Sequence, residues 1–206
     1  MLCIQRMNPE TGVRIEIASP RHFERGQLAV RIVLACVLGW FGITFGSLAA
    51  LGYLVLPILA ASAITSVGGD NYLGKLGRQL GRALTWVLRC EAYMMLLVDR
   101  LPIEDDPGVS ITIGYGGHPT LRSAMWRLVT SLPLAAVALV LAIPSAMLWF
   151  VAALWILFGF AMPRPILAFQ LGVLRWQAQL LVYQGSLVGS YPWSFDTTSH
   201  LAAAAA

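Results

Sequence analysis

The sequence predicts a mainly α-helical integral membrane fold made of two tandem repeats, each a short β-strand, a transmembrane helical hairpin and an amphipathic interfacial helix. Three observations predict it. The 206 residues are 58% hydrophobic and only 12% charged, with a mean hydropathy of +0.72, which is too little charge to cover a soluble domain of this size. Residues 32–69 and 128–163 contain no Asp, Glu, Lys or Arg over 38 and 36 positions, about twice the ~18 that mark a spanning candidate. The third observation is that the chain resembles itself at fixed offsets.

The opening strand of each copy comes first in that comparison. VRIEI (13–17) aligns with VSITI (109–113) at an offset of 96, which also pairs His22 with His118, Arg31 with Arg127 and Val33 with Val129. Both strands alternate, so their Val and Ile residues share one face. Beyond the apolar run the offset becomes 90, pairing Tyr93 with Tyr183, Leu97 with Leu187, Val98 with Val188, Pro102 with Pro192 and Asp106 with Asp196. Six residues are therefore missing from the membrane region of the second copy. The expected organisation is a 1–12 extension, repeats at 13–106 and 109–196, and a low-complexity tail at 197–206 that is set aside.

Each apolar run is too long for one crossing. Thirty-eight helical residues reach about 57 Å, against a hydrocarbon core of about 30 Å. A tight hairpin is expected in each, turning at Gly46-Ser47 and at Pro144-Ser145, with Gly42 and Gly46 forming a GxxxG that permits close helix approach. All fourteen Lys and Arg residues fall outside the runs. The positive-inside tendency then predicts a multi-pass protein of the bacterial inner membrane with both termini cytoplasmic. The opening MLCIQRMNPETG lacks the apolar core of a cleavable signal, so the first span is expected to direct its own insertion.

The third helix of each copy is expected over about 72–98 and 166–188. Lys75, Arg78, Arg82 and Arg89 share one of its faces, as on a helix resting among headgroups. Arg31, Lys75, Arg78, Arg82, Arg89, Arg127 and Arg175 are the candidate headgroup-binding residues. Thr85, Arg89 and Tyr93 in the first copy correspond to Arg175, Gln179 and Tyr183 in the second, and these six are the candidate repeat interface. Gln170, Gln177 and Gln184 recur every seven residues on a separate line. In a competing topology the third helices span and the copies are inverted, as in many transporters; charged Arg89 and Arg175 near mid-membrane disfavour it.

The closing segments LRCEAYMMLLVDRLP (88–102) and GVLRWQAQLLVYQGSLVGSYPWSF (172–195) resemble the end of the bacterial family called domain of unknown function 4389, present here as two tandem copies. The first copy departs from the pattern with Leu101 where the second has Tyr191, and Thr85 where the second has Arg175. The resemblance implies a membrane protein without an assigned activity, and it supplies no site residues.

The residues themselves point to no reaction. His22, His118 and His200 lie near no GxSxG or activated cysteine. Paired His22 and His118 sit in a turn ahead of the first span, where a structural role is favoured over haem or metal ligation. Glu104, Asp105 and Asp106 form a solvated linker run, and LGKLGRQLG (73–81) lacks the phosphate-loop pattern. Cys3, Cys36 and Cys90 form no CxxC. Trp126 beside Arg127 and Trp86 near Arg89 suit interface anchoring, while Trp149 and Trp155 read as packed or lipid-facing rather than pigment contacts. No catalytic, cofactor-binding or metal-binding residues are expected, and no nucleic-acid partner, since recognition signatures are missing. The expected role is a non-enzymatic structural or accessory subunit of a membrane assembly, with anionic lipids and other membrane subunits as partners. The alternatives are an anionic-lipid-binding or lipid-handling protein, and a small inverted-repeat transporter.

Overall fold

The structure is a computed structural model, and it describes residues 12–17, 23–40, 45–101, 108–116, 119–189 and 191. The three histidines, Cys3, the acidic run 104–106 and the tail lie outside the described residues. In chain order the elements are β1 (Val13–Ile17), α1 (Arg25–Trp40), α2 (Phe45–Val67), α3 (Gly69–Tyr72), a π-helical turn (Leu73–Gly77), α4 (Arg78–Met94), β2 (Val109–Ile113), α5 (Leu121–Thr130), α6 (Leu132–Leu157) and α7 (Arg164–Gln184).

The two strands form where alternation predicts them, and they pair with each other. The pairing is antiparallel, with Val13 opposite Ile113, Ile15 opposite Ile111 and Ile17 opposite Val109. The register is symmetric about Ile15–Ile111, residues that already matched at the offset of 96. A two-stranded ribbon is not stable alone. Here Ile15 and Val109 are buried in one core with Leu88, Ala92, Tyr93 and Leu97 at the end of α4 and with Leu167, Leu171, Leu174 and Ala178 of α7. Glu16 and Ser110 alternate to the exposed side.

Helix α1 has 16 residues and α5 has 10, a difference equal to the change of offset from 96 to 90 in the sequence. The turns differ from expectation. In the first run residues 41–44 lie outside the described residues, and Gly46 and Ser47 sit in the first turn of α2. In the second run no hairpin forms at Pro144-Ser145, which lies inside the continuous α6. The break comes at Ser131, because Pro133 occupies the first turn of α6, where a missing N–H costs nothing. Pro144 is tolerated mid-helix beside a clamp from α7: Ser145 Oγ donates to Gln170 Oε1 at 2.6 Å, and Gln170 Nε2 donates to the Ser145 carbonyl at 2.8 Å. The chain reverses after α6 instead, through Gly159 at φ 83°.

Helices α6 and α7 therefore run antiparallel. Their stitches are Gln170 to Ser145, Trp176 Nε1 to the Leu134 carbonyl at 3.3 Å, and Gln184 Nε2 to Ser131 Oγ at 3.3 Å. Two glutamines of the seven-residue line thus meet serines spaced fourteen apart on α6. This burial corrects one expectation. Most of α7 is inside the fold, with Gln170 and Gln184 bonded to Ser145 and Ser131 and its apolar residues packed in the core shared with α4. Of the two expected interfacial helices, only α4 keeps a broad exposed face, with Arg78, Arg82, Trp86 and Val87 outward.

Candidate functional site

The distinctive chemistry of this fold lies where α4 and α7 end. Both stop in the same hydrogen-bonded turn. Past α4, Leu96 N–H donates to Tyr93 O at 3.2 Å and Leu97 N–H to Ala92 O at 3.1 Å; past α7, Ser186 N–H donates to Tyr183 O at 3.0 Å and Leu187 N–H to Val182 O at 3.2 Å. These are Schellman ends, and both place a non-glycine residue in the left-handed region: Leu96 at φ 61° and Ser186 at φ 54°. A leucine pays about 1–2 kcal/mol for that conformation, and Leu96 is held there fully buried against Leu28, Ala152, Ile156 and Ile166.

Carbonyls left over by these turns are met by buried arginines. Arg31, fully buried in α1, donates through Nη2 to the Val98 carbonyl, pairs with Asp99 Oδ1 at 3.1 Å and lies 4.2 Å from the Tyr93 ring centroid. Arg127 in α5 donates through Nη1 to the Tyr183 carbonyl at 2.8 Å and the Val188 carbonyl at 2.6 Å, and lies 4.6 Å from the Tyr183 ring. Each guanidinium thus combines a charge-assisted bond to a post-helical carbonyl with a cation–π contact. The partners correspond: Val98 with Val188, and Tyr93 with Tyr183.

The two sites differ in how the neighbouring helix start is capped. Asp99 Oδ2 accepts the Glu24 N–H at 2.6 Å, just ahead of α1, where a carboxylate also suits the helix dipole. The position corresponding to Asp99 is Gly189, which has no side chain to offer. There Thr120 caps α5 itself, accepting the Ser123 N–H at 3.2 Å, and Arg127 takes a second carbonyl in place of the acid. The tyrosine hydroxyls are also engaged: Tyr93 donates to Gln27 Oε1 at 2.8 Å, and Tyr183 lies 3.0 Å from Thr130 Oγ1.

Each half also supplies an aromatic donor to the other's helix end. Trp149 Nε1 of α6 donates to the Met94 carbonyl at 2.8 Å, and Tyr72 Oη of α3 donates to the Gly185 carbonyl at 2.6 Å. Burial pushes the Tyr72 hydroxyl up to about 12, against an opposing effect of Arg127. Trp149 is a packed, hydrogen-bonded aromatic. Tyr72 was not legible as a cap, since nothing in the sequence links it to a residue 113 positions away.

The predicted residues divide accordingly. Arg31 and Arg127 are turned inward onto carbonyls, away from any headgroup layer. Arg78 and Arg82 are exposed on α4, and Arg89 and Arg175 are half-buried; the side chain of Lys75 lies outside the described set. Of the proposed repeat interface, Tyr93 and Tyr183 each serve the arginine of their own half. Thr85 and Gln179 are half-buried. Helices α4 and α7 share a leucine- and alanine-rich core, and Glu91 of α4 bonds Gln177 of α7. Burial raises the Glu91 carboxyl from 4.5 to about 7, with the Gln177 hydrogen bond opposing it. Gln177 stood out in the sequence only as one of the three glutamines recurring every seven residues, and nothing there paired it with Glu91. Among the described residues, no cluster of three His, Cys, Asp or Glu side chains could hold a metal.

These features define a mainly helical chain in which, among the described residues, one helix, α6, is long and apolar enough to cross a membrane. Residues 122–196 match the model of a family described as Domain of unknown function (DUF4389). The match covers a single copy and not the two expected from the resemblance, for residues 13–106 are not matched. No curated protein and no solved structure matches the chain.

Two outcomes follow from this geometry. Arg127→Met leaves the Val188 carbonyl buried and unpaired, at about 1–3 kcal/mol, removes one of the two donors to the Tyr183 carbonyl, and should lower Tm in detergent by roughly 5 °C or more. Arg127→Lys should not restore it, because an ammonium cannot reproduce the planar stacked fork; a Tm within about 1 °C of the parent for Arg127→Met would contradict the assignment. For Glu91, the folded chain keeps a proton that the unfolded chain releases between pH 4.5 and about 7. Its contribution is therefore present at low pH and lost as pH rises through that window. Denaturation measured across the window should show this fall in the parent and not in Glu91→Gln; equal slopes in both would rule it out.

Proposed function

We propose that this protein is a non-enzymatic integral membrane protein, a structural or accessory subunit of a larger membrane assembly, built from two copies of one unit. The observation that carries this reading is the outer face of α6. Its 26 residues rise about 39 Å, enough for a bilayer core of about 30 Å, and only 11% of its most apolar window is buried. Leu139, Val140, Ile143, Met147 and Phe150 are each about two-thirds exposed. The apolar surface continues on Val33 and Val37 of α1 and on Ile58 and Leu59 of α2. Soluble monomers rarely expose a contiguous patch beyond a few hundred Å², and a bilayer or neighbouring subunits would cover this one.

The duplicated organisation is supported by three correspondences: a strand register symmetric about Ile15–Ile111, identical ends on α4 and α7, and two arginines with matching partners. A family match over 122–196 is then read as the better preserved copy. A subunit role is favoured because the buried polar groups described above are engaged in holding helices together.

Membranes from cells expressing the full chain should retain it through an alkaline carbonate wash. After mild detergent extraction it should migrate well above the 22.4 kDa of one chain. Release by carbonate would defeat the membrane reading. Retention followed by a stable, monodisperse single chain would defeat the subunit reading alone.

A further inference from the structure

We infer that the exposed face of α4 is an anionic-lipid site, in which Arg78 and Arg82 take headgroup phosphates while Trp86, Ala83 and Val87 enter the acyl boundary. The inference rests on the membrane reading above and adds the lipid class and the residues that select it.

The argument begins with the order of residues around α4. At about 100° per residue, Arg78, Arg82 and Trp86 follow one another at about 0°, 40° and 80°, and Ala83 and Val87 lie at about 140° and 180°. All five are exposed, Trp86 at 56% and Val87 at 42%. The opposite arc is inside the fold, through Gly81, Leu84, Leu88 and Ala92. Apart from Gln79, which is exposed in the first turn at about 100°, the outward half of the helix is graded from cationic through indole to aliphatic. A water-facing helix has no use for that gradient. A helix lying along a bilayer surface needs it, with guanidiniums at headgroup level, indole at the boundary and aliphatic carbon beneath.

The two arginines also contrast with the buried pair. Arg31 and Arg127 are buried and bonded to backbone carbonyls, and Arg31 pairs with Asp99 as well. No carboxylate among the described residues pairs with Arg78 or Arg82. Arg78 gives only its Nε, to the Gly74 carbonyl one turn back. That bond orients the side chain along the helix while its Nη groups remain for a phosphate, which suits the guanidinium fork better than a lone ammonium. The site stands one turn after the π-helical segment 73–77, a local irregularity of the kind often found at functional sites.

The test uses full-length protein in nanodiscs of equal phosphatidylcholine and phosphatidylglycerol, with the lipids retained after release counted by native mass spectrometry. The parent should retain phosphatidylglycerol in preference. With each basic residue near an anionic surface giving about a five-fold preference, Arg78→Gln with Arg82→Gln should reduce the retained ratio roughly 30-fold. Arg14→Gln with Arg164→Gln, the same charge loss elsewhere, should leave it unchanged, as should millimolar inorganic phosphate. An unselective parent, an unaffected α4 variant or an equal fall in the control pair would overturn the inference while leaving the membrane reading intact. Displacement of phosphatidylglycerol by inorganic phosphate would assign the site to the free anion and overturn the lipid assignment. Failure of the parent to enter nanodiscs would remove the membrane reading itself.

Discussion

A guanidinium withdrawn from water needs acceptors or aromatic faces around it, and that requirement fixes how this chain closes. Arg127 Nη1 takes two carbonyls, while Arg31 bonds through Nη2 alone and sets its unbonded Nε and Nη1 beside the Phe23 and Tyr93 rings. Helices leave carbonyls unpaired at their C-terminal ends, and a chain with 12% charged residues has few polar side chains with which to satisfy them. Arg31 and Arg127 answer both needs at once. Each enters the fold from the first long helix of its half and binds the backbone beyond the last one. The strands, the α4–α7 core and the reciprocal Trp149 and Tyr72 caps all converge on the helix ends that these arginines hold.

The distribution of polarity follows from the same arrangement. Gln170, Gln184, Ser131, Ser145 and both arginines are inside, bonded to other helices or to backbone. The outward residues of α6 are leucine, valine, isoleucine, methionine and phenylalanine. Water favours the opposite arrangement. Lipid favours this one, since polar groups then act between helices and apolar groups face the solvent.

Much of this was legible because it depends on period and composition. The strands, the third helices and the correspondence of Arg31 with Arg127 all follow from alternation, apolar runs or fixed offsets. The pairing of the two strands with each other was not, because register requires knowing which segments meet. The turn placed at Pro144 failed because proline is a weak breaker where a neighbouring helix secures the chain, while Pro133 sat in a position that starts helices and was passed over. Leu96 in a left-handed turn carried no signal, since leucine is not a turn residue; Gly185-Ser186 at the matching place did. The headgroup set misassigned Arg31 and Arg127 for a related reason: position beside an apolar run says that an arginine ends it, not whether the side chain points into protein or toward a membrane surface.

What most directly distinguishes a lipid-solvated surface from a protein or water contact is the environment of α6. Spin labels at cysteines introduced for Leu139, Ile143, Met147 and Phe150, in protein reconstituted into vesicles, can be compared for collisions with oxygen and with a water-soluble nickel chelate. All four should collide freely with oxygen and be shielded from nickel, with oxygen access rising toward mid-helix. Nickel access comparable to that of exposed Glu16, at any of the four positions, would contradict the account.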